Sequence, residues 1–206
     1  MANGPLQRYL WRMDHDSTIV PTPRQLRALT HPVRLRMLGI LRLEGPQTAT
    51  NLAQRLGLNT GATSYHLRQL AEHGFIEDDA ERGSGRERWW RARYTSTRLE
   101  KPMPDAAEEV DAYLQAVVTV YAEQLQRAME ERALLPGPWR QASTFSDWQI
   151  RLTPRRAREV VESLDRLLSG TEDDDEADAE AATFTINVNA FPRPGTLTLD
   201  AAEEGR

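Results

Sequence analysis

Five small groups stand within six positions: Asn59, Thr60, Gly61, Thr63 and Ser64. Their amide and hydroxyls donate and accept hydrogen bonds without ionising at neutral pH, so they offer recognition rather than bond making. Further on, the stretch DDAERGSGRE and the residues after it carry Arg82, Arg86 and Arg88, guanidinium groups suited to holding phosphate. Covalent chemistry is poorly supplied. The 206-residue chain has no cysteine, which excludes disulfides, thiolate metal sites and cysteine nucleophiles. It has four histidines, none after His73, and no Ser, His and Asp at a recognisable catalytic spacing. Gly83-Ser84-Gly85 lacks the strand-to-helix context and following lysine of a phosphate loop, and reads as a turn. His15 between Asp14 and Asp16, and the acidic run Glu172 to Glu176, read as solvated charge rather than ligand sets. The expectation is a non-enzyme with no cofactor and no metal.

The small polar cluster needs an element to present it. Around it the sequence reads LAQRLGLNTGATSYHLRQLAEHGFI, Leu52 to Ile76. Apolar spacing is helical up to Gly57, stops, and resumes within three residues. Thr48 is placed to cap the first helix and Asn59 the second, with Gly74 as the second helix's stop. Leu52, Ala53 and Leu56 on one arm and Ala62, Leu67 and Leu70 on the other let the two pack at a steep angle. The polar cluster then stands at the N-terminal end of the second helix and faces outward. Short side chains for close approach, hydrogen-bonding tips and a positive helix end suit insertion into the DNA major groove.

The flanking elements are legible too. Thr22-Pro23 begins a short helix through Leu26 and Leu29 that ends near His31, and Pro32 begins a helix stopped by Gly45-Pro46. Phe75-Ile76 opens a strand. Residues 88–94 return, with Trp90, Ala92 and Tyr94 on one face and Trp89, Arg91 and Arg93 on the other. Arg82, Arg86 and Arg88 on that hairpin would reach flanking phosphates or the minor groove. His66 fits either a phosphate contact or helix packing, and His31 fits a helix junction.

The net charge of −5 is split: residues 1–100 hold 15 Arg and 10 Asp/Glu, net +5, and residues 101–206 are net −10. The basic half is where a polyanion would bind. The N-terminus has no signal-peptide pattern and no apolar run approaches membrane-spanning length, so a cytoplasmic protein with no membrane partner is expected.

Residues 23–94 resemble the winged helix-turn-helix of the ArsR-type family of bacterial transcription regulators. The matching pieces are LRALTHPVRLRMLGIL, TNLAQRLGL, SYHLRQLAEHGFI and GRERWWRA, in that order. The resemblance covers about a third of the chain. It implies a homodimer that binds a near-palindromic operator in double-stranded DNA, usually as a repressor released by a small-molecule inducer. Carried over by position, Thr60, Thr63, Ser64, Tyr65 and Arg68 would contact bases. Gln47 and Thr48 would touch phosphate, and Arg82, Arg86 and Arg88 would lie in the wing. The chain departs from the family's metal sensors: TATNLAQ has no Cys, and the long helix has no His.

The expected organisation is α+β: an arm (1–22), a winged helix-turn-helix domain (23–100), a long dimerisation helix (101–136), a small α/β extension (137–192) and a mobile tail (193–206). The helix, from Asp105 to about Leu135, carries Val110, Leu114, Val117, Tyr121 and Leu125 on one stripe. At about 45 Å it is too long for one small domain to cover, which points to a partner copy. In the extension, strands are expected over 145–152 and 183–190, with a Thr153-capped helix between them. This layer could line a pocket for an apolar inducer, or only buttress the dimer. A winged helix used for protein–protein docking is the competing reading of the whole.

Overall fold

The computed structural model describes residues 18–80, 82, 87–99, 103–175 and 177–197. The chain divides into two compact units, 1–140 and 141–206.

The first unit is built around α1 (Pro23–Leu29), α2 (Pro32–Glu44), α3 (Ala49–Leu56) and α4 (Thr60–Glu72). Each start is fixed locally. Thr22 and Gln25 form a capping box, with the Thr22 N–H donating to Gln25 Oε1 at 3.0 Å. His31 caps α2 by accepting at Nδ1 from the Val33 N–H at 3.2 Å. Thr48 and Asn59 cap α3 and α4 through bonds from the Asn51 and Ala62 N–H groups. Gly57 ends α3 at φ 64°, a left-handed conformation that a side chain would strain. Leu26, Leu29, Leu38, Leu41, Leu52, Leu67, Leu70 and Phe75 are fully buried among these helices.

Strands β2 (Gln47–Thr48), β3 (Ile76–Asp78) and β4 (Trp89–Ala92) form an antiparallel sheet in the order β2-β4-β3. Ile76 sits opposite Ala92 and Asp78 opposite Trp90, the expected hairpin, and Trp90 and Ala92 are the buried face. This is the winged helix-turn-helix arrangement, with α4 as its second helix and the hairpin as its wing. Two pairings go beyond the sequence reading: β2, and a parallel pair between β1 (Thr18–Ile19) and β5 (Ser96–Thr97). Ile19, expected among the apolar residues of the N-terminal arm, is buried in the core. Of that arm, residues 1–17 lie outside the described residues, as do the tip residues 83–86 and the linker residues 101–102.

The long helix is α5 (Ala107–Glu131), flanked by single 3-10 turns at Pro104–Ala106 and Arg132–Leu134. Its inner face packs on α1 and α2 through Tyr113, Ala116 and Val120. Ion pairs Arg27–Glu109 and Arg36–Glu123, both 2.7 Å, pin it at two heights. Arg42 donates from Nε to the Tyr94 carbonyl and from Nη2 to Thr97 Oγ1, both at 2.9 Å, and so ties α2 to the strand beyond the wing. Burial pulls its pKa down to about 10, which still leaves it charged at neutral pH. Pro136 follows α5 as expected, but Gly137–Ala142 starts a short helix, α6.

The second unit departs from expectation. Its helix α7 (Pro154–Ser169) is present and capped by Thr153. The expected strands at 145–152 and 183–190 are not formed: among the described residues neither joins a ladder. The small α/β layer is therefore corrected to one helix with two irregular flanks. Alternating apolar residues favour a strand only when a neighbour takes up its backbone hydrogen bonds, and neither segment serves as the other's neighbour here.

Candidate nucleic-acid interface

The Asn59 cap sets where α4 begins, and the helical period then sorts its residues. Thr60, Gly61, Tyr65 and Arg68 are exposed and Ser64 is half-buried. Tyr65 keeps 52% of its surface open, large for an aromatic. A Cβ added at Gly61 would lie 3.3 Å from Asn59 Oδ1, so this position holds the turn close to its own cap.

Two expected contacts are corrected. Thr63 is fully buried, and its Oγ1 donates to the Asn59 carbonyl at 3.0 Å. It lies on the inward stripe with Leu67 and Leu70, spaced i, i+4, i+7. Thr48 is 2% exposed, and its Oγ1 accepts from the Asn51 N–H at 3.2 Å. Its role is the α3 cap rather than a phosphate contact. Gln47, one residue before, is half-exposed on β2 opposite Trp90.

On the wing, Arg82 is half-buried and pairs with the buried Asp79 at 3.5 Å. Arg88 is exposed, donates to Asp78 Oδ2 at 2.7 Å, and lies 4.1 Å from the Trp90 ring centre. These contacts hold both side chains to the sheet. Arg86 lies outside the described residues.

Helix and wing enclose an open cleft of about 320 Å³, lined by Ala49, Thr50, Ser64, Arg68, Glu87 and Arg88 with Thr48 and Trp90 at its floor. The first turn of α3 lines it through Ala49 and Thr50, beside the Arg68 and Arg88 guanidinium groups and the Glu87 carboxylate. Among the described residues Arg68 makes no ion pair. Arg88 has one, so the cleft holds a committed cation and an uncommitted one. Thr50 and Glu87, joined by a 3.3 Å bond from Thr50 Oγ1 to Glu87 Oε1, were missed by sequence reasoning. The signal for Thr50 was available, because it follows the Thr48 cap within the first turn.

Behind the exposed face, His66 packs against His31 with ring centres 4.6 Å apart, and its Nδ1 is buried without a hydrogen-bond partner. Of its two readings, packing is the one this geometry favours. Burial first and neighbouring positive charge second lower the pKa of both: Arg34 and Arg36 act on His31, and His31 and Arg34 on His66. The cationic forms are therefore disfavoured in the fold.

The expected dimerisation residues divide by exposure. Leu114 and Leu125 are exposed at 44% and 53%, together with Val118 and Met129, while Val110, Val117 and Tyr121 are half-buried. The open positions 114, 118 and 125, with the half-buried 121, follow alternating steps of four and three, the spacing of a two-helix seam. Among the described residues no three potential ligands form a metal-binding group, and no helix is long and apolar enough to cross a membrane.

A helix-turn-helix domain model matches residues 29–79. No curated protein matches the chain. Among solved structures it is similar to an apo-form mutant of ZitR from Lactococcus lactis, at 16% identity, covering 80% of this chain and 92% of that one with a TM-score of 0.29. It is also similar to the adhesin competence repressor AdcR from Streptococcus pyogenes, at 14% identity, 80% and 90% coverage and a TM-score of 0.26. Both overlays are too loose for any residue's position to be read across.

Proposed function

We propose that this chain is a sequence-specific DNA-binding transcription regulator, a repressor of ArsR-type kinship rather than an enzyme. In this reading it acts in the cytoplasm as a homodimer on a near-palindromic operator. The carrying observation is the cleft between α4 and the wing, where the uncommitted Arg68 stands beside Ser64 and the first turn of α3. Thr60, Ser64, Tyr65 and Arg68 read base edges. Gln47, Thr50, Arg82, Arg86 and Arg88 position the backbone. The ArsR-type kinship rests on the motifs SYHLRQLAEHGFI and GRERWWRA, and the helix-turn-helix match over 29–79 is compatible with it.

The homodimer reading rests on the open apolar seam of α5. Two-fold pairing along it would present two α4 helices about 34 Å apart, one turn of DNA. The test is binding of labelled genomic fragments across a salt series, by electrophoretic shift and anisotropy. A reader of DNA retains a subset of fragments, and Arg68→Ala weakens that retention. If Arg68 meets phosphate, the variant also lowers the salt slope by about 0.9. Weak retention blind to sequence, unchanged in Arg68→Ala, would instead favour a winged helix that docks protein.

A further inference from the structure

The second unit leaves its apolar residues open. Phe145, Trp148, Ile150 and Leu152 are 52%, 78%, 66% and 39% exposed, and Ile186, Val188 and Phe191 are 55%, 45% and 72% exposed. With a fully open aromatic at about 150–250 Å², these and Phe184 together expose on the order of 900 Å². That is about what one partner contributes to a stable interface, roughly 800 Å². The backbone is equally uncommitted: among the described residues no main-chain hydrogen bond involves Trp148, Ile150, Leu152, Ile186 or Val188.

The residue order within 145–152 says what occupies this surface. The segment reads FSDWQIRL, Phe145 to Leu152. Pair it antiparallel with its own copy about Gln149, and each Asp147 faces the other copy's Arg151. Each Trp148 then faces the other copy's Ile150. Opposite charges and an aromatic against a β-branched residue are favourable cross-strand pairs. The segment is thus complementary to itself in one register. Within one chain, Asp147 and Arg151 form no ion pair among the described residues.

The connection supplies the rest. A helical crossover such as α7 joins two strands that run in the same direction. In a split strand–helix–strand unit, those strands lie one strand-width apart with a foreign strand between them. That geometry explains why 145–152 and 183–190, both of strand pattern, do not pair with each other.

We propose that two copies of this chain build a four-stranded intermolecular sheet from their second units. The 145–152 segments pair antiparallel about Gln149 at its centre, and each 183–190 segment flanks the other copy's 145–152. The two α7 helices cover one face with their apolar sides, which include Val160, Val161, Leu164 and Leu168. This adds a contact to the dimer proposed above and rests on that dimer reading.

The absence of cysteine makes the register testable in the full chain. Gln149→Cys places two thiols opposite each other across the two-fold axis, within disulfide reach. Ser146→Cys with Leu152→Cys tests the same register at pairs of the other hydrogen-bonding class, so one of the two designs falls on the closely spaced class. Mild oxidation is expected to convert most of the chain to a covalent dimer in at least one design. In the Gln149→Cys background, Asp147→Arg is expected to cut the yield several-fold, and adding Arg151→Asp to restore it. Sedimentation of the unmodified chain is run alongside. A dimer that crosslinks in neither design, or whose crosslinking ignores the charge reversals, overturns the shared sheet and leaves the regulator reading standing. A chain that sediments as a monomer at working concentration overturns both the sheet and the homodimer.

Discussion

The wing hairpin and the 145–152 and 183–190 segments have the same kind of sequence, apolar residues alternating with polar ones, and they end in different states. Trp90 and Ala92 are buried because β3 and β2 flank β4 on either side and the helices cover it. Trp148 and Ile150 are 78% and 66% exposed, and among the described residues no strand lies beside them. Alternation thus specifies a face, while the partner specifies the strand. In the first unit the chain supplies both partners, β3 within about fifteen residues of β4 and β2 about forty residues before it. In the second, among the described residues, neither segment has a strand beside it.

The largest way to sharpen this contrast is a pair of core truncations. Leu67→Ala in the filled core is expected to cost about 2–5 kcal/mol, at every protein concentration. Val188→Ala in the open segment should cost less, with an effect that grows as the chain is concentrated. Denaturant melts at two concentrations check both. If Val188→Ala proves as costly as Leu67→Ala at high dilution, the second unit has a core of its own and the comparison fails.

Next in size is Arg68→Ala. Losing a base-edge contact is expected to cost about 1–3 kcal/mol of DNA binding while the melting temperature stays the same. Thr63→Ala should do the reverse, destabilising the fold through the lost Asn59 contact and packing, with no specific loss at a base. Anisotropy titrations beside thermal melts separate these outcomes. Leu125→Asp, on the open face of α5, is expected to shift the chain toward monomer in sedimentation without lowering its helicity. Asn59→Ala should cost about 1 kcal/mol through the lost cap.

The smallest effect concerns pH. The folded pKa values of His31 and His66 lie below the ordinary histidine value. The unfolded chain therefore takes up protons before the folded chain does. Their contribution to stability is complete above about pH 6.5 and is lost as pH falls below it. Melting temperature should drop modestly between pH 7.5 and 5.5. His66→Gln should flatten that slope, and an unchanged slope would remove the pair from the account.

Much of the site was legible because its determinants are local. The Asn59 cap and the Gly57 break depend on neighbours within a few residues, and the Trp90/Ala92 alternation lies within one strand. Thr63 was misread although the needed signal was present: it shares a face with Leu67 and Leu70, and its small polar character concealed that. Thr48 was misread because its place at the helix start suggested access to phosphate, whereas the residue is 2% exposed. The β1–β5 pair joins two-residue strands nearly eighty positions apart, and nothing local announces such a contact. The second unit's strand pattern was visible in the sequence. Among the described residues nothing in the chain pairs with those segments, so the pattern alone forms no strand.

In the proposed function the open end of α4 reads base sequence, twice, in a symmetric pair. Selection of bound fragments from a random double-stranded DNA pool tests it most directly. The expected product is an inverted repeat whose half-sites are centred about one helical turn apart, and whose enrichment collapses with Arg68→Ala. Recovery of no motif under conditions where the chain is folded and dimeric would contradict it.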